Sequence, residues 1–120
     1  VTRGKYDDTI HSRRLLINGM RCGLYEIGST FQARGGKRLY ASTQVQKTSL
    51  SEVEMFIFCI RIPQAETHFY VIPSRVLAEK SIAREVHLYF PAEMYPPSNR
   101  AHPHIKYEKY RGAWHLLSRS

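Results

Sequence analysis

Three polar residues of the sequence have side chains suited to cleaving a phosphodiester bond: Glu26, Gln44 and Lys47. Glu26 is the only carboxylate between Asp8 and Glu52, and the other two residues belong to the polar stretch STQVQKTS. A carboxylate with a second oxygen ligand can hold a divalent cation, and a lysine can orient the attacking water or stabilise charge on the phosphate. These residue types on neighbouring strands are typical of a metal-dependent phosphodiesterase.

The stretch STQVQKTS has the composition of a β-strand, so the alternation of its side chains decides which of them share a face. Without a bulge, Val45 shares the face of Lys47, and Gln44 points to the opposite side. A β-bulge near Gln46 would bring Gln44 to the face of Lys47, because bulges re-aim side chains beside active sites. A site that uses both Gln44 and Lys47 therefore requires such a bulge or a shifted alignment.

The N-terminal half of the chain predicts one helix and one hairpin. DDTIHSRRLLINGMR predicts a helix over 8–18 that ends at Asn18-Gly19. CGLYEIGSTFQ and KRLYASTQVQKTS are rich in β-prone residues, and the paired glycines of ARGGK between them can take the positive φ angles of a tight turn. We therefore expect an antiparallel hairpin that places Glu26 beside the strand of Lys47.

The C-terminal half predicts three strands and two helices. MFIFCIRI is nearly continuous in apolar residues, which is typical of a strand buried on both faces at the centre of a sheet. Two shorter strands, HFYVIP and EVHLYF, precede and follow a helix predicted at SRVLAEKSIA. A closing amphipathic helix is predicted from near-helical spacing of Ile105, Tyr107, Tyr110, Trp114 and Leu117, which favours packing on the sheet over base stacking.

The order of these elements predicts the fold class. A chain of 120 residues is long enough for one domain with a modest core. Helix, four strands, helix, strand and helix then predict a single α/β (α+β) domain over residues 1–120. Its mixed central sheet should have about four to five strands flanked by helices.

This order, with VQKTS before an apolar strand and HFYVIPSRVL after it, resembles the PD-(D/E)XK nuclease superfamily. The similarity is to the small prokaryotic or mobile-element members, endonuclease-like or resolvase-like, and it runs from about Ile10 to Leu117. The closing KYEKYRGAWHLL is also similar to the tail of such proteins. The resemblance implies a restriction-endonuclease-like αβββαβ core and a metal-dependent cut in a DNA backbone.

The resemblance also implies roles for individual residues. The family's acid on the second strand matches Glu26, which stands where an aspartate is usual, and its lysine on the third strand matches Lys47. The position two before the lysine is Val45, so Gln44 takes the ligand's place only in the shifted or bulged reading. Glu26 and Gln44 would then hold Mg²⁺ or Mn²⁺, and Lys47 would orient the water. By analogy with such nucleases, the protein is a possible homodimer.

The charge of the chain favours a polyanionic partner. Lysine and arginine number 18 against 10 acids, a formal net charge of +8, which indicates DNA first and RNA second. Two basic clusters could contact phosphates: Arg34, Lys37 and Arg38 at the glycine turn, and Lys106, Lys109 and Arg111 near the C-terminus. A basic surface that serves only solubility is the alternative.

Two further functions stay open on the sequence alone. One is a catalytically inactive nucleic-acid-binding module of the same fold, in which Glu26 and Lys47 form only a cross-strand ion pair. The other is a structural or protein-interaction domain for an acidic partner. The two cysteines, Cys22 and Cys59, predict small buried strand residues. Without a membrane-length apolar run or a leader, the sequence predicts a cytoplasmic protein with no membrane partner.

Overall fold

The computed structural model of the protein describes residues 9–28, 31–32, 39–61, 67–78, 85–91, 107 and 109–118. Two β-sheets pack face to face, and two short helices lie at the ends of strands. The strands are β1 (Thr9–Ile17), β2 (Met20–Ile27), β3 (Phe31–Gln32), β4 (Leu39–Gln46), β5 (Met55–Ile60), β6 (His68–Pro73) and β7 (Glu85–Pro91). The helices are α1 (Lys47–Glu52) and α2 (Ser74–Ala78), and a 3-10 helix spans Trp114–Leu117.

The first sheet has the strand order β1-β2-β5-β6. Its central pair, β2 and β5, is parallel, and the outer pairs are antiparallel. The second sheet, in the order β3-β4-β7, is antiparallel throughout. The α+β class and the mixed four-stranded sheet are therefore confirmed, as are the strands at MFIFCI, HFYVIP and EVHLYF. The helix predicted after Pro73 is confirmed over Ser74–Ala78, and its continuation lies outside the described residues.

The helix predicted over 8–18 is wrong, because this segment forms strand β1. β1 pairs with β2 across a two-residue turn at Asn18 and Gly19, whose φ angles are 50° and 79°. Both residues have a left-handed backbone conformation, as in the type I′ turn whose twist matches that of a hairpin. The same Asn-Gly pair is also a common helix end, and consecutive apolar residues hide the alternation that marks β1 as a strand.

The hairpin predicted between residues 22–32 and 37–49 is confirmed only near its tip. Phe31 pairs with Tyr40, and Gln32 pairs with Leu39. The longer strand β2 lies instead in the other sheet, between β1 and β5. The strand predicted through KTS ends at Gln46, and residues 47–52 form α1.

The main core lies between the two sheets. Phe90 of β7 is fully buried, and its ring centroid lies 5.2 Å from that of Phe58, 4.5 Å from that of Tyr70 and 5.9 Å from that of Tyr107. Strand alternation explains this core: Tyr25 and Ile27 of β2 point toward the second sheet, and Ala41 and Val45 of β4 point toward the first. Burial of these apolar side chains is the main force that holds the sheets together.

A second core covers the opposite face of the first sheet, called here the outer face. Its buried members are Met20, Cys22, Ile57, Val71, Ala113 and Leu117. The predicted C-terminal α-helix is wrong: the segment that supplies Ala113 and Leu117 has only 3-10 turns among its described residues. Gly112, with φ of 63°, interrupts right-handed helical geometry. No helix in the described part of the chain has the length and apolar character needed to cross a membrane.

Candidate functional site

A polar cleft of about 420 Å³ lies between β1, the end of β4 and α1. Its lining combines hydroxyl, amide and guanidinium groups with one aromatic ring, from Thr9, Ser12, Arg13, Arg14, Tyr25, Gln44, Gln46 and Ser49. None of these described lining residues is a carboxylate. Such a set of donors and positive charges is suited to an anion with several oxygen atoms, such as a phosphate.

The alternation of β1 places the central residues of this cleft. Ser12 pairs with Tyr25 and Arg14 with Gly23, so these side chains point toward the second sheet. At the start of β1, the Thr9 and Thr43 hydroxyls form a hydrogen bond that joins β1 to β4. The cleft is therefore built where the edge of the first sheet meets the second sheet.

Several contacts define the position of Arg14 in the cleft. Its Nη2 donates to Ser49 Oγ at 3.0 Å and lies 3.3 Å from Glu52 Oε2. Ser49 is buried, with 7% of its surface exposed, so its hydroxyl is a fixed acceptor. The guanidinium also crosses Gly23, where a Cβ would lie only 3.1 Å from Nη1. The absence of a side chain at Gly23 thus leaves room for Arg14.

The structure separates the three residues predicted for catalysis. Gln44 lines the cleft, and Lys47 is the exposed first residue of α1. Glu26, 23% exposed, lies between Tyr25 and Ile27, which face the core, so its own side chain points to the outer face. There its Oε2 lies 3.4 Å from Arg61 Nη1. Glu26 is therefore on the opposite side of the first sheet from Gln44.

The β-bulge that would re-aim Gln44 is absent from β4. The register with β7 runs without a shift through Gln44↔His87, Val45↔Val86 and Gln46↔Glu85. Lys47 leaves the strand altogether, because the chain turns into α1 at that point. Because β4 does not continue to Lys47, Lys47 and Val45 do not share a face of that strand.

The donor set does not fit a shared Mg²⁺ or Mn²⁺ ion. A divalent ion of this kind needs several oxygen ligands around one point. Glu26 is engaged by Arg61, and Gln44 lies beyond the core of the molecule. Within the described ranges, no group of three or more His, Cys, Asp or Glu side chains could hold a metal.

Two of the six predicted basic contact residues, Lys109 and Arg111, belong to the described part of the chain. Arg34, Lys37, Arg38 and Lys106 fall outside the described residues. Lys109 is exposed, with Nζ 5.2 Å from the Tyr110 ring centroid. Arg111 is half-buried and forms a β-bridge with Tyr70.

Sequence reasoning missed the four cleft residues of β1, namely Thr9, Ser12, Arg13 and Arg14. The alternation of a strand places Ser12 and Arg14 on one face, whereas the helix predicted over 8–18 does not. The hydrogen bond from Arg14 to Ser49 joins residues 35 positions apart, so no local sequence pattern predicts it.

The two cysteines are buried and free, as the sequence predicts, and neither lines the cleft. Burial raises the pKa of the Cys22 thiol, and the charge of Glu54 adds to the effect. Burial likewise raises the pKa of the Cys59 thiol, with a further contribution from Glu26. A raised pKa keeps both side chains as thiols rather than nucleophilic thiolates at neutral pH. They are structural residues.

Comparison of the chain with family models, with curated proteins and with solved structures gave no match in any of the three.

Proposed function

We propose that the protein is a nucleic-acid-binding module that holds backbone phosphates of DNA, or of RNA, in the cleft between β1, β4 and α1. The observation that carries this proposal is the Arg14 guanidinium, oriented by the buried Ser49 hydroxyl within a lining that has no carboxylate among its described residues. The chain's net charge of +8 supplies long-range attraction for a polyanion. We also propose that the protein is intracellular, as the sequence predicts.

The groups of the cleft divide into two chemical roles. The Arg14 guanidinium and the Ser12 hydroxyl suit phosphate oxygens, which accept hydrogen bonds from guanidinium and hydroxyl donors. Gln44 and Gln46 offer both a donor and an acceptor, the pattern that reads base edges. Contacts to phosphate fix the position of the strand, and the amides can add a preference for particular bases.

Binding without hydrolysis is better supported than cleavage. The metal-dependent endonuclease predicted from the resemblance needs an acid, a second ligand and a lysine around one phosphate. The structure places Glu26 on the outer face, whereas Gln44 lies in the cleft on the other side of the first sheet. We therefore assign Gln44 and Lys47, which lie close together in the chain, to contact with the nucleic-acid strand rather than to catalysis.

The proposal is tested by anisotropy of labelled single-stranded DNA, duplex DNA and RNA at about 50 and 200 mM salt, because phosphate contacts make affinity fall with salt. The same samples are incubated with Mg²⁺ or Mn²⁺ and examined for cleavage. We expect salt-sensitive binding and intact nucleic acid. Cleavage that is lost in both Glu26→Gln and Lys47→Ala would instead establish the nuclease. Absence of salt-sensitive binding to any nucleic acid would favour an acidic protein partner.

A further inference from the structure

Trp114, the only tryptophan of the chain, lies on the outer face, and 46% of its surface is exposed. Its ring rests against Phe69 of β6, with 5.1 Å between the ring centroids and 55° between the planes. A large aromatic ring that is supported from one side and open on another has lost much of its freedom but still offers a contact surface.

The backbone around Trp114 is held to the first sheet at several points. Gly112 N donates to Phe69 O at 2.7 Å, and Arg111 forms a β-bridge with Tyr70. At the other end of the 3-10 helix, Asn18 Nδ2 donates to Leu117 O at 2.8 Å. The buried Ala113 anchors the segment into the outer core. These contacts make Trp114 part of a fixed platform.

The segment that carries Trp114 has a one-sided charge over residues 109–118. Residues 109–118 contain Lys109, Arg111 and His115 and no aspartate or glutamate. Lys109 and His115 are exposed, and Lys109 lies near the ring of the half-buried Tyr110. An exposed indole in a basic segment matches the pattern of proteins that bind single strands, in which bases stack on aromatic rings and cations follow the phosphates.

We propose that Trp114 is a stacking site for an unpaired base, so that the preferred ligand is single-stranded nucleic acid; this inference rests on the proposed function. In a duplex both faces of an internal base are already stacked, whereas a single strand can present a free face to the indole. Lys109 and His115 contact the phosphates on either side of the stacked base. The platform adds selectivity for single strands to the phosphate contacts of the cleft.

The test uses the full chain and two simultaneous signals. Because Trp114 is the sole tryptophan, its emission reports on this site alone. Oligothymidylate of about 15 nucleotides, long enough for a single-strand site, is titrated while emission and the anisotropy of a terminal label are recorded. We expect quenching of emission that saturates at the same oligonucleotide concentration as the anisotropy.

Variants then separate stacking from structure. Trp114→Ala should weaken single-strand binding by about 5- to 100-fold and duplex binding by less than about 3-fold, whereas Trp114→Phe should keep most of the affinity because it keeps an aromatic ring. Leu16→Ala is the matched control, since Leu16 is also a large exposed apolar residue, at 74%. It should bind like the wild type. Thermal unfolding verifies that each variant is folded.

Three results would overturn the inference. Single-strand binding with unchanged Trp114 emission and full affinity in Trp114→Ala would remove the stacking site and leave the proposed function intact. Equal losses for single strands and duplex in Trp114→Ala would remove the selectivity. Absence of binding to any nucleic acid would overturn both the inference and the proposed function.

Discussion

Replacing Ser49 by alanine should loosen Arg14 without removing any charge from the cleft. Ser49 Oγ accepts a hydrogen bond of 3.0 Å from Arg14 Nη2, and Ser49 is buried while the Arg14 side chain is 49% exposed. The substitution removes a single oxygen atom and leaves the fold of α1 unchanged. Any loss of nucleic-acid affinity then measures how far the orientation of Arg14 matters.

The expected size of the effect follows from the exposure of the two partners. A hydrogen bond to a charged group contributes about 1.5–3 kcal/mol to stability when it is desolvated. The half-exposed guanidinium regains water after the substitution, so we expect a coupling between Ser49 and Arg14 of about 1 kcal/mol. Binding should weaken by about 3- to 10-fold, which corresponds to a similar free energy.

The assay is a double-mutant cycle in urea unfolding, with Ser49→Ala, Arg14→Ala and the double variant, together with anisotropy of labelled single-stranded DNA. Ser51→Ala is the matched control: this exposed serine lies in the same helix, and its hydroxyl donates to Thr48 O at 3.0 Å. It should leave affinity unchanged. A coupling below about 0.3 kcal/mol, with binding equal to the wild type, would refute the view that Ser49 positions Arg14.

Three other predictions follow from the described contacts. Glu52→Gln should strengthen single-strand binding by about 2- to 5-fold in anisotropy, because its carboxylate competes with phosphate for Arg14 at a 3.3 Å contact; weaker binding would contradict this. Phe90→Ala should lower the free energy of unfolding in urea by about 3–5 kcal/mol, because the ring is fully buried among three aromatic rings, and a loss below about 1 kcal/mol would show that the sheets do not pack through it. The two buried thiols should make their full contribution to the free energy of unfolding below pH 9.0, the ordinary thiol pKa. This contribution should fall as pH rises from there through the raised folded pKa values of Cys22 and Cys59, because the unfolded chain loses these protons first. Cys22→Ala and Cys59→Ala should each flatten this decline in urea unfolding between about pH 8 and 10, and an unchanged slope would exclude the thiols.

The strands with the strongest local signal were predictable from the sequence. MFIFCI and HFYVIP are almost entirely buried, and their apolar residues need no partner to be recognised as strands. The segment 8–18 was not predictable in the same way, because Asn18-Gly19 ends a helix and turns a hairpin equally well. Tertiary pairing with β2 decides between the two structures.

The candidate site depended on contacts that the sequence does not display. Glu26 was expected beside Lys47 because adjacent strands usually pair, but the parallel pairing of β2 with β5 moves Glu26 into the other sheet. One residue of the predicted set, Gln44, does line the cleft. The position of Arg14 in the cleft was not predictable, because it depends on a tertiary contact between β1 and α1, which are far apart in the chain.

The central claim is that Arg14 holds a backbone phosphate, and its most direct test compares Arg14→Ala with Arg61→Ala. Both arginines form exposed ion pairs of similar length, 3.3 Å with Glu52 and 3.4 Å with Glu26, but only Arg14 lines the cleft. Each substitution therefore removes one charge and one ion pair.

Affinity for single-stranded DNA is measured by anisotropy across a range of salt concentrations. Arg14→Ala should bind about 10-fold or more weakly, with a salt slope smaller by about 0.7, while Arg61→Ala should stay within about 3-fold of the wild type. Equal losses in the two variants would show that only net charge matters, and wild-type binding by Arg14→Ala would contradict the cleft as the binding site.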